Sequence, residues 1–418
     1  MRIGLLRFVR DLSNDRSERR RLGAAVVVLL RHRWRSLIAL GPMLRVVPTG
    51  GKAKLQLWQS LARSFLSNAF VFCKEPNALA EAIRSTQAYT DAAVALSHDR
   101  NGFVQRGTDY DHLRRLWRTR SPERLLVFHH YDRRGLMPNS WCEALIVLQA
   151  AGWQVVLSSP QLDPVVSALL EPAGVQIASR ANIGLCLGAY RDLALLLHFT
   201  PAVHRQLKAL VFCNDSNLLV QPPEVLVAQL EQWTSQSDVN NKNTDSRPVL
   251  ASLTDSAERD CYHLQSFLLY ANRALLQHPA WLRFWLYYTI DGSRDDLINQ
   301  GEIGLSQALL EAGVELRPAY PLVQGLLNDP SMAAELQGYG IVQPEHVNQS
   351  LFAWRSLLAR GFPMVKKHVL FQLAEHHGQP MAISELARWI PQERRELLSR
   401  DIEQLLISRY SGGSPRMG

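Results

Sequence analysis

Short apolar runs alternate with amphipathic stretches through the middle of the chain. Four runs are compact and apolar enough to be buried strands, and the stretches between them have helical spacing. The expected strands are 125–128, 153–157, 175–178 and 210–213, and the expected helices are 139–151, 164–170 and 189–197. This alternation predicts an α/β fold, in which helices cover both faces of a mainly parallel sheet.

The pattern continues beyond a polar stretch at 234–247. A strand is expected over 248–253 and another over 263–270, where His263 and Gln265 fall at every second position. The aromatic-rich stretch 281–288 and the amphipathic stretch that begins at Gly301 are predicted to be helices. The chain therefore divides into a helical region (1–120), an α/β domain (121–345) and a C-terminal helical cap (346–418).

The run Asn214-Asp215-Ser216 directly follows the fourth strand. Ligands of open α/β sheets bind at the carboxyl ends of strands. Oxygen atoms from an Asp placed there can hold a hard divalent cation, and the cation can hold a diphosphate. An ordinary polar turn is the alternative for such a triplet. Asp215 is the candidate metal ligand, with Mn²⁺ or Mg²⁺ as the expected cofactor.

Glu302 is expected in the first turn of its helix, where the helix dipole favours the ionised carboxylate. A carboxylate in that position can take a proton from an acceptor hydroxyl. An ordinary helix-capping Glu would have the same sequence. His130, Tyr131 and Asp132 follow the first strand, where a packed or surface histidine is the alternative to a ligand-binding one.

The charge of the chain is concentrated near its N-terminus. Residues 1–60 contain 13 Lys and Arg against 3 Asp and Glu, whereas the remaining residues contain 33 against 35. A general nucleic-acid-binding body is not indicated, because the whole positive excess lies in this segment. A nucleic-acid role of the segment itself is disfavoured, because no zinc-finger, RNP-type or helix-turn-helix signature accompanies the charge. Residues 1–54 are instead expected to be able to contact an anionic membrane. A helical extension that packs on the main domain is the alternative.

The apolar run 22–30 is too short to cross a bilayer, which requires about 20 apolar residues. The five cysteines are odd in number and form no CxxC pair, which favours a reducing compartment. We therefore expect a cytoplasmic protein with peripheral contact at the inner face of the cytoplasmic membrane.

Five stretches, in order, resemble the rhamnan synthesis protein F family of bacterial polysaccharide glycosyltransferases. A sixth and weaker one is Gly361-Phe362-Pro363 with Val365-Lys366-Lys367, and the resemblance covers about residues 123–370. The five are Val127-Phe128-His129-His130-Tyr131-Asp132 with Gly135; Asn182-Ile183-Gly184 with Gly188-Ala189-Tyr190-Arg191-Asp192; Cys213-Asn214-Asp215-Ser216; Leu253-Thr254-Asp255-Ser256 with His263-Leu264-Gln265-Ser266-Phe267; and Glu302-Ile303-Gly304-Leu305-Ser306.

The resemblance implies a GT-A-like Rossmann-type fold and an inverting, metal-assisted transfer. The donor would be a nucleotide sugar, typically dTDP-rhamnose, and the acceptor a lipid-linked saccharide of a growing cell-surface polysaccharide. By motif position, Glu302 would be the general base, with Asp255 and His263 as further catalytic candidates. The implied donor-binding residues are His130, Tyr131, Asp132, Asn182, Gly184, Gly188, Tyr190, Arg191, Asn214, Ser216 and Gln265.

One position departs from the pattern of the resembled family. That family usually has an Asp in a Gly-Phe-Asp-Phe-Gly stretch, where this chain has Cys186 within Gly184-Leu185-Cys186-Leu187-Gly188. Loss of this Asp implies a changed donor, weaker donor binding or lost turnover. A non-catalytic, glycosyltransferase-like scaffold subunit of a polysaccharide assembly complex is therefore the alternative function.

Overall fold

The computed structural model describes residues 110–119, 121–180, 184–198, 200–239, 247–288, 297–377 and 384–410. Residues 1–109 lie outside this part of the chain. They include most of the expected helical N-terminal region and the segment that is expected to contact a membrane. The strands are β1 (Arg124–His129), β2 (Gln154–Ser159), β3 (Gln176–Ser179), β4 (Ala209–Asn214), β5 (Asn217–Leu219), β6 (Val249–Ser256), β7 (His263–Leu264), β8 (Leu268–Asn272), β9 (Glu315–Tyr320) and β10 (Met364–Lys366).

Helices connect these strands, and a π-helix spans Leu297–Ile303. The α-helices are α1 (Tyr110–Thr119), α2 (Asn139–Ala150), α3 (Pro164–Leu170), α4 (Leu185–His198), α5 (Pro201–Gln206), α6 (Pro223–Val239), α7 (Arg273–Leu276), α8 (Pro279–Tyr287), α9 (Gly304–Glu311), α10 (Leu322–Asn328), α11 (Pro330–Gly338), α12 (Gln349–Phe352), α13 (Trp354–Ala359), α14 (Lys367–His377) and α15 (Arg395–Tyr410).

The central sheet of the described chain has eight strands. Strands β3, β2, β1 and β4 are parallel neighbours, β8 runs antiparallel between β4 and β6, and β9 is parallel to β6. Strand β7 pairs with the end of β6. Strands β5 and β10 form a separate antiparallel ribbon. This order confirms the expected α/β fold class, with a mainly parallel sheet between helices.

Successive strand residues pack into two hydrophobic clusters, because neighbouring side chains of a strand point to opposite faces. Leu125 and Val127 of β1 belong to the cluster that includes α4, α8 and α9, which we call the first cluster. Leu126 and Phe128 belong to the second cluster, with α2, α6, α14 and α15. The strands are apolar on both faces for this reason, as is usual for parallel strands between helix layers.

The stretch 263–270 is not one strand, in contrast to the expectation from its alternation. It forms β7 and β8, separated by a turn at 265–267. The Gln265 side chain accepts hydrogen bonds from the hydroxyls of Thr254 (2.8 Å) and Ser350 (2.9 Å), and its backbone N–H donates to the Thr254 carbonyl (3.1 Å). These three bonds hold the chain in the turn, and β8 then enters the central sheet.

The C-terminal helices pack on the same core as the first strands. Leu398, Ile402 and Leu406 of α15 lie in the second cluster. The Asp401 carboxylate also accepts hydrogen bonds from the backbone N–H groups of Asn139 (2.7 Å) and Ser140 (2.9 Å), at the start of α2. Such bonds satisfy N–H groups that have no partner inside a helix. Among the described helices, none is long and apolar enough to cross a membrane.

Candidate functional site

The carboxyl ends of the parallel strands bring the predicted polar residues to one edge of the sheet. His129, the last residue of β1, is in register with Asn214 of β4 and Ser158 of β2. The backbone N–H of Asp215 donates to the His129 carbonyl (3.2 Å). Ligands of such sheets bind at this edge. The structure therefore brings His130, Asn214 and Asp215 together, as the sequence predicts.

Asp215 forms an ion pair with Lys367, the first residue of α14. Its Oδ2 lies 2.9 Å from the Lys367 Nζ, and the two side chains are 15% and 16% exposed. The backbone places this lysine: β10 pairs with β5, and the Lys367 N–H donates to the Ser216 carbonyl (3.0 Å). The sequence contains Lys367 in its weakest motif, and its role as the partner of Asp215 was not expected.

The ion pair keeps Asp215 ionised. Burial alone would raise the pKa of the Asp215 carboxyl, but the Lys367 ammonium and, next, His130 lower it below its ordinary value. Asn214 contributes to the turn around it, since its Oδ1 accepts a hydrogen bond from the Ser216 N–H (2.9 Å). The Asx turn is a usual function of Asn in this position. Ser216 itself is exposed.

The described residues do not fit a resident divalent cation at Asp215. Mg²⁺ is bound in proteins through one or two carboxylates, together with waters and substrate phosphates. At this strand end the Asp215 Oδ2 already contacts an ammonium. Among the residues that it describes, no group of three His, Cys, Asp or Glu is placed to hold a metal ion.

Glu302 lies in the last turn of the π-helix, one residue before its end, and not at a helix start. The expected helix start at Gly301 is therefore wrong, because Leu297–Ile303 continues directly into α9. The expected contact of Glu302 with the positive end of a helix dipole is therefore absent. One carboxylate oxygen, Oε1, accepts hydrogen bonds from the Ser266 N–H (3.0 Å) and from the Ser266 hydroxyl. Its Oε2 takes no hydrogen bond from any described residue, and the side chain is half-buried.

Gly301 allows the π-helix to approach α4 closely. A Cβ at this position would lie 2.1 Å from Leu187 Cδ1 and 3.3 Å from the Tyr288 hydroxyl. Leu187 is completely buried, so its methyl group has little room to move. The glycine thus permits the contact that sets Glu302 against Ser266. Isolated π-helical turns are frequent at functional sites.

The turn at 265–267 links Glu302 to Asp215. The Phe267 carbonyl accepts a hydrogen bond from the Asn214 N–H (3.1 Å), and the Ser266 carbonyl accepts one from the Tyr190 hydroxyl (3.3 Å). Ser266 also binds Glu302. The strand end of β4 and the π-helix are therefore held by consecutive residues of one turn.

Cys186 lies within the electrostatic reach of both carboxylates. Burial and, after it, the negative charges of Glu302 and Asp215 together raise the pKa of its thiol to about 12. The thiol is consequently neutral at physiological pH. The position at which the resembled family has an Asp is thus occupied by an uncharged group beside two carboxylates.

Asp255 and its neighbours form a separate, enclosed cluster at the end of β6. The Asp255 Oδ1 accepts hydrogen bonds from the Leu322 N–H (2.7 Å), at the start of α10, and from the Gln349 Nε2 (3.1 Å). Asp255 is completely buried. Burial raises its pKa to about 7, against smaller lowering effects of the Leu322 N–H, the Tyr262 hydroxyl and Arg360. Asp255 therefore joins β6 to α10 and α12.

His263 and Gln265 belong to this enclosed region. The His263 Nδ1 lies 2.7 Å from the Cys261 carbonyl oxygen, and its Nε2 is buried with no hydrogen-bond partner among the described residues. Gln265 is buried and holds the turn as described above. The structure places these side chains inside the protein, where they support the loop that carries Ser266.

The residues after β1 are mostly held by protein groups. The His130 ring lies within hydrogen-bond distance of the Ser159 hydroxyl (3.0 Å) and the Leu136 carbonyl (2.9 Å). Asp132 accepts bonds from the N–H groups of Arg134 and Leu136 and from the Ser408 hydroxyl of α15 (2.8 Å). Burial raises the pKa of Asp132, but these bonds lower it overall. Tyr131, in contrast, is 46% exposed.

The glycine-rich stretch begins α4, with positive φ at Gly184 and Leu185. Gly188, Tyr190 and Arg191 lie inside that helix and are buried. The Tyr190 ring stacks on Phe212 (centroids 4.6 Å apart), and Arg191 donates to the Trp285 carbonyl (3.1 Å). These side chains pack between helix and sheet and thus position the edge. Asn182 lies outside the described residues.

A cavity of about 730 Å³ lies elsewhere, between α11, α13 and α14. Aromatic side chains line much of it, among them Tyr339, Phe352 and Trp354. Arg355 on its wall is already paired with Glu385 and stacks on Trp354. None of the predicted site residues lines this cavity, so we place the candidate site at the sheet edge.

Neither a family model nor a curated protein matches this chain. Among solved structures, the chain is similar to the mannosyltransferase PcManGT from Pyrobaculum calidifontis, in complex with GDP-Man and Mn²⁺. The identity is 9% and the TM-score 0.25, over 78% of this chain and 100% of the other. A likeness at this TM-score carries no argument about fold or function.

Proposed function

We propose that the chain is a glycosyltransferase that uses a nucleotide-sugar donor. The observation that supports the proposal is the pair of carboxylates at the carboxyl edge of the sheet. Asp215 lies there beside a cation, and Glu302 presents a carboxylate oxygen that takes no hydrogen bond from described residues. The turn at 265–267 holds both. An inverting glycosyl transfer can use a positive charge beside the leaving phosphate and a carboxylate that takes the acceptor proton.

Each residue has a separate task in this proposal. The Lys367 ammonium, held by Asp215, contacts the donor phosphates. Tyr131, which is exposed, lies beside the nucleotide. Glu302 accepts the proton of the attacking hydroxyl through Oε2, while the two bonds from Ser266 to Oε1 fix the carboxylate plane. A positioned base of this kind contributes about 10²–10⁴ to a rate.

We further propose dTDP-rhamnose as the donor and a lipid-linked saccharide as the acceptor, with inversion at the anomeric carbon. This proposal is supported by the resemblance to the rhamnan synthesis protein F family, and the membrane location by the charge of residues 1–54. The enzyme would act at the cytoplasmic face of the membrane, where the basic segment contacts anionic lipid. Residues 1–54 lie outside the described part of the chain.

Hydrolysis of donor sugars tests the proposal without knowledge of the acceptor. We expect one member of a panel of dTDP-rhamnose, GDP-mannose and UDP-glucose to be consumed in the presence of the full chain. Glu302→Gln should lower that rate about 10²–10⁴-fold at unchanged donor affinity, because the proton moves only during reaction. The matched control is Glu123→Gln, which changes an exposed carboxylate at the opposite, amino edge of the sheet.

Two results would contradict this assignment. Full activity of Glu302→Gln would place the base elsewhere, and no consumption of any donor would remove the enzymatic function. The second outcome would favour a scaffold subunit of a polysaccharide assembly complex. That alternative is supported by one observation, the neutral Cys186 thiol at the position where the resembled family has an Asp.

A further inference from the structure

The ion pair at the end of β4 occupies the place where the sequence predicts a metal ion. The Lys367 Nζ lies 2.9 Å from Asp215 Oδ2, which is the oxygen–nitrogen distance of a direct, charge-assisted hydrogen bond. An ammonium at this distance and a divalent cation would compete for the same oxygen. The predicted metal ligand is therefore already neutralised by a side chain of this chain.

We propose that Lys367 replaces the divalent cation, so that the ammonium held by Asp215 binds the donor diphosphate and the protein needs neither Mn²⁺ nor Mg²⁺. This inference rests on the proposed function, because it concerns the donor of that same site. It assigns to Lys367 a role that a metal ion would otherwise have, namely contact with the phosphate oxygens.

The position of Lys367 supports a role in anion binding. It begins an eleven-residue helix, whose first N–H groups and positive dipole end favour an anion. Lys366 precedes it, with its Nζ 5.9 Å from the Phe267 ring centroid, next to the turn that holds Glu302. The pairing of Lys366 with Asn217 fixes both lysines relative to the end of β4. Two positive charges and a helix start thus lie beside the strand end.

The described residues near Asp215 offer no ready-made metal site. The carboxylates that act on Cys186 are those of Glu302 and Asp215, and the cysteine itself is neutral. Glu302 uses Oε1 to bind Ser266. The Asp215 Oδ2 is already paired with the Lys367 ammonium, and no group of three His, Cys, Asp or Glu among the described residues is placed to hold a metal ion.

In this arrangement the bond between the anomeric carbon and the diphosphate oxygen breaks, and its electron pair leaves with the nucleoside diphosphate. The acceptor oxygen forms the new bond to the anomeric carbon, and its proton goes to Glu302. Lys367 stays protonated and stabilises the negative charge that grows on the departing diphosphate. No redox partner is required.

Calorimetric titration of the full chain with dTDP, UDP and GDP, in EDTA and in Mn²⁺ or Mg²⁺, tests the inference. We expect one nucleotide to bind in EDTA, with a Kd within about threefold of that with metal. Lys367→Met should weaken it about ten- to a hundredfold, the cost of losing a charged hydrogen-bond donor. Lys367→Arg should restore part of the affinity, since it keeps the charge.

The matched control is Lys208→Met. Lys208 also pairs with a carboxylate, that of Glu123 at 2.7 Å, but it lies just before the opposite end of β4. Its loss should leave nucleotide affinity unchanged. If Lys367 had only a structural role, Lys367→Met would lower the free energy of unfolding but leave nucleotide affinity unchanged. Urea denaturation of both variants therefore accompanies the titrations.

The outcomes separate the inference from the proposed function. Binding that appears only with Mn²⁺ or Mg²⁺ would overturn the inference and leave the nucleotide-sugar function standing. Unchanged affinity in a folded Lys367→Met variant would also overturn it. Should that variant fail to fold, the inference is tested by nucleotide binding to the unmodified chain in EDTA and by the affinity of the Lys367→Arg variant. Absence of nucleotide binding under every condition would remove both proposals.

Discussion

Asp215 directly follows β4, and Asp255 lies one residue before the end of β6. Each lies between two polar neighbours in the sequence. In sequence the two are nearly interchangeable, but the structure separates them. Asp215 is 15% exposed and faces an ammonium, whereas Asp255 is completely buried and faces a backbone N–H and a neutral amide. The comparison teaches that the partner and the burial, and not the motif, decide what a strand-end Asp does.

The two pKa values follow from the same balance. Burial raises the pKa of both carboxyls. At Asp215 the charge of Lys367 exceeds that effect and lowers the pKa overall, while at Asp255 neutral donors and a weaker contribution from Arg360 leave it raised, to about 7. Asp215 is therefore available as a fixed negative charge. Asp255 is available as a structural hydrogen-bond acceptor that is close to half-protonated at neutral pH.

Removing the Asp255 carboxyl should have the largest effect on folding. Asp255→Ala leaves the buried Leu322 N–H without its acceptor, whereas the Gln349 Nε2 keeps the Tyr320 carbonyl (2.8 Å). An unsatisfied buried group costs about 1–3 kcal/mol, so we expect the free energy of unfolding to fall by about 2 kcal/mol, measured by urea denaturation at pH 7. Asp255→Asn is the matched variant, since it keeps an acceptor oxygen. Equal stability of Asp255→Ala and the unmodified chain would contradict this structural role.

Taken per pH unit, the pH dependence of stability should come next in size. The folded pKa of Asp255, about 7, is above the unfolded value of about 4. Between these values the folded state holds the proton and the unfolded state does not. The contribution of Asp255 to stability is therefore fully present below about pH 4. It decreases as pH rises to about 7, by up to about 1.4 kcal/mol per pH unit.

Asp255→Asn should flatten this slope, because the amide does not titrate. Urea denaturation of both proteins at intervals from pH 5 to 8 measures it. An identical slope in the two proteins would show that Asp255 is already ionised in the folded state at low pH, and the contrast with Asp215 would then disappear.

Asp215→Asn should have the smallest effect on stability, about 1 kcal/mol or less. The amide oxygen can still accept a hydrogen bond from Lys367, and the partial exposure of both side chains lets water solvate the ammonium. Thermal unfolding at pH 7 measures the change. A loss as large as that of Asp255→Ala would mean that the ion pair is chiefly a structural bond between β4 and α14.

The positions of Asp215 and the central strands could be predicted from the sequence because the signal is local. The run 210–213 is apolar on both faces and ends abruptly in a polar turn, and the structure has β4 at Ala209–Asn214. The partner of Asp215 could not be predicted in this way. Lys367 lies 152 residues further along the chain and is delivered by β10, a strand of three residues with no readable period.

Contacts between residues that are distant in the chain also could not be predicted from the sequence. His263 and Gln265 alternate as strand residues do, but the hydrogen bonds of Gln265 to Thr254 and Ser350 make a turn instead. Gly301 was expected at a helix start, whereas its close contact with Leu187 belongs to a π-helix that begins before it. Both outcomes depend on side chains that lie far away in the chain.

The ribbon of β5 and β10 and the contacts of α15 also affect the order in which the molecule can assemble. During synthesis, the loop after β1 and the start of α2 emerge long before Ser408 and Asp401, their partners 276 and 262 residues later. Domains of such high sequence separation fold slowly and expose apolar surface meanwhile. The strand end that carries Asp215 therefore acquires its positive charge only after Lys367, 152 residues further along the chain, has been synthesised.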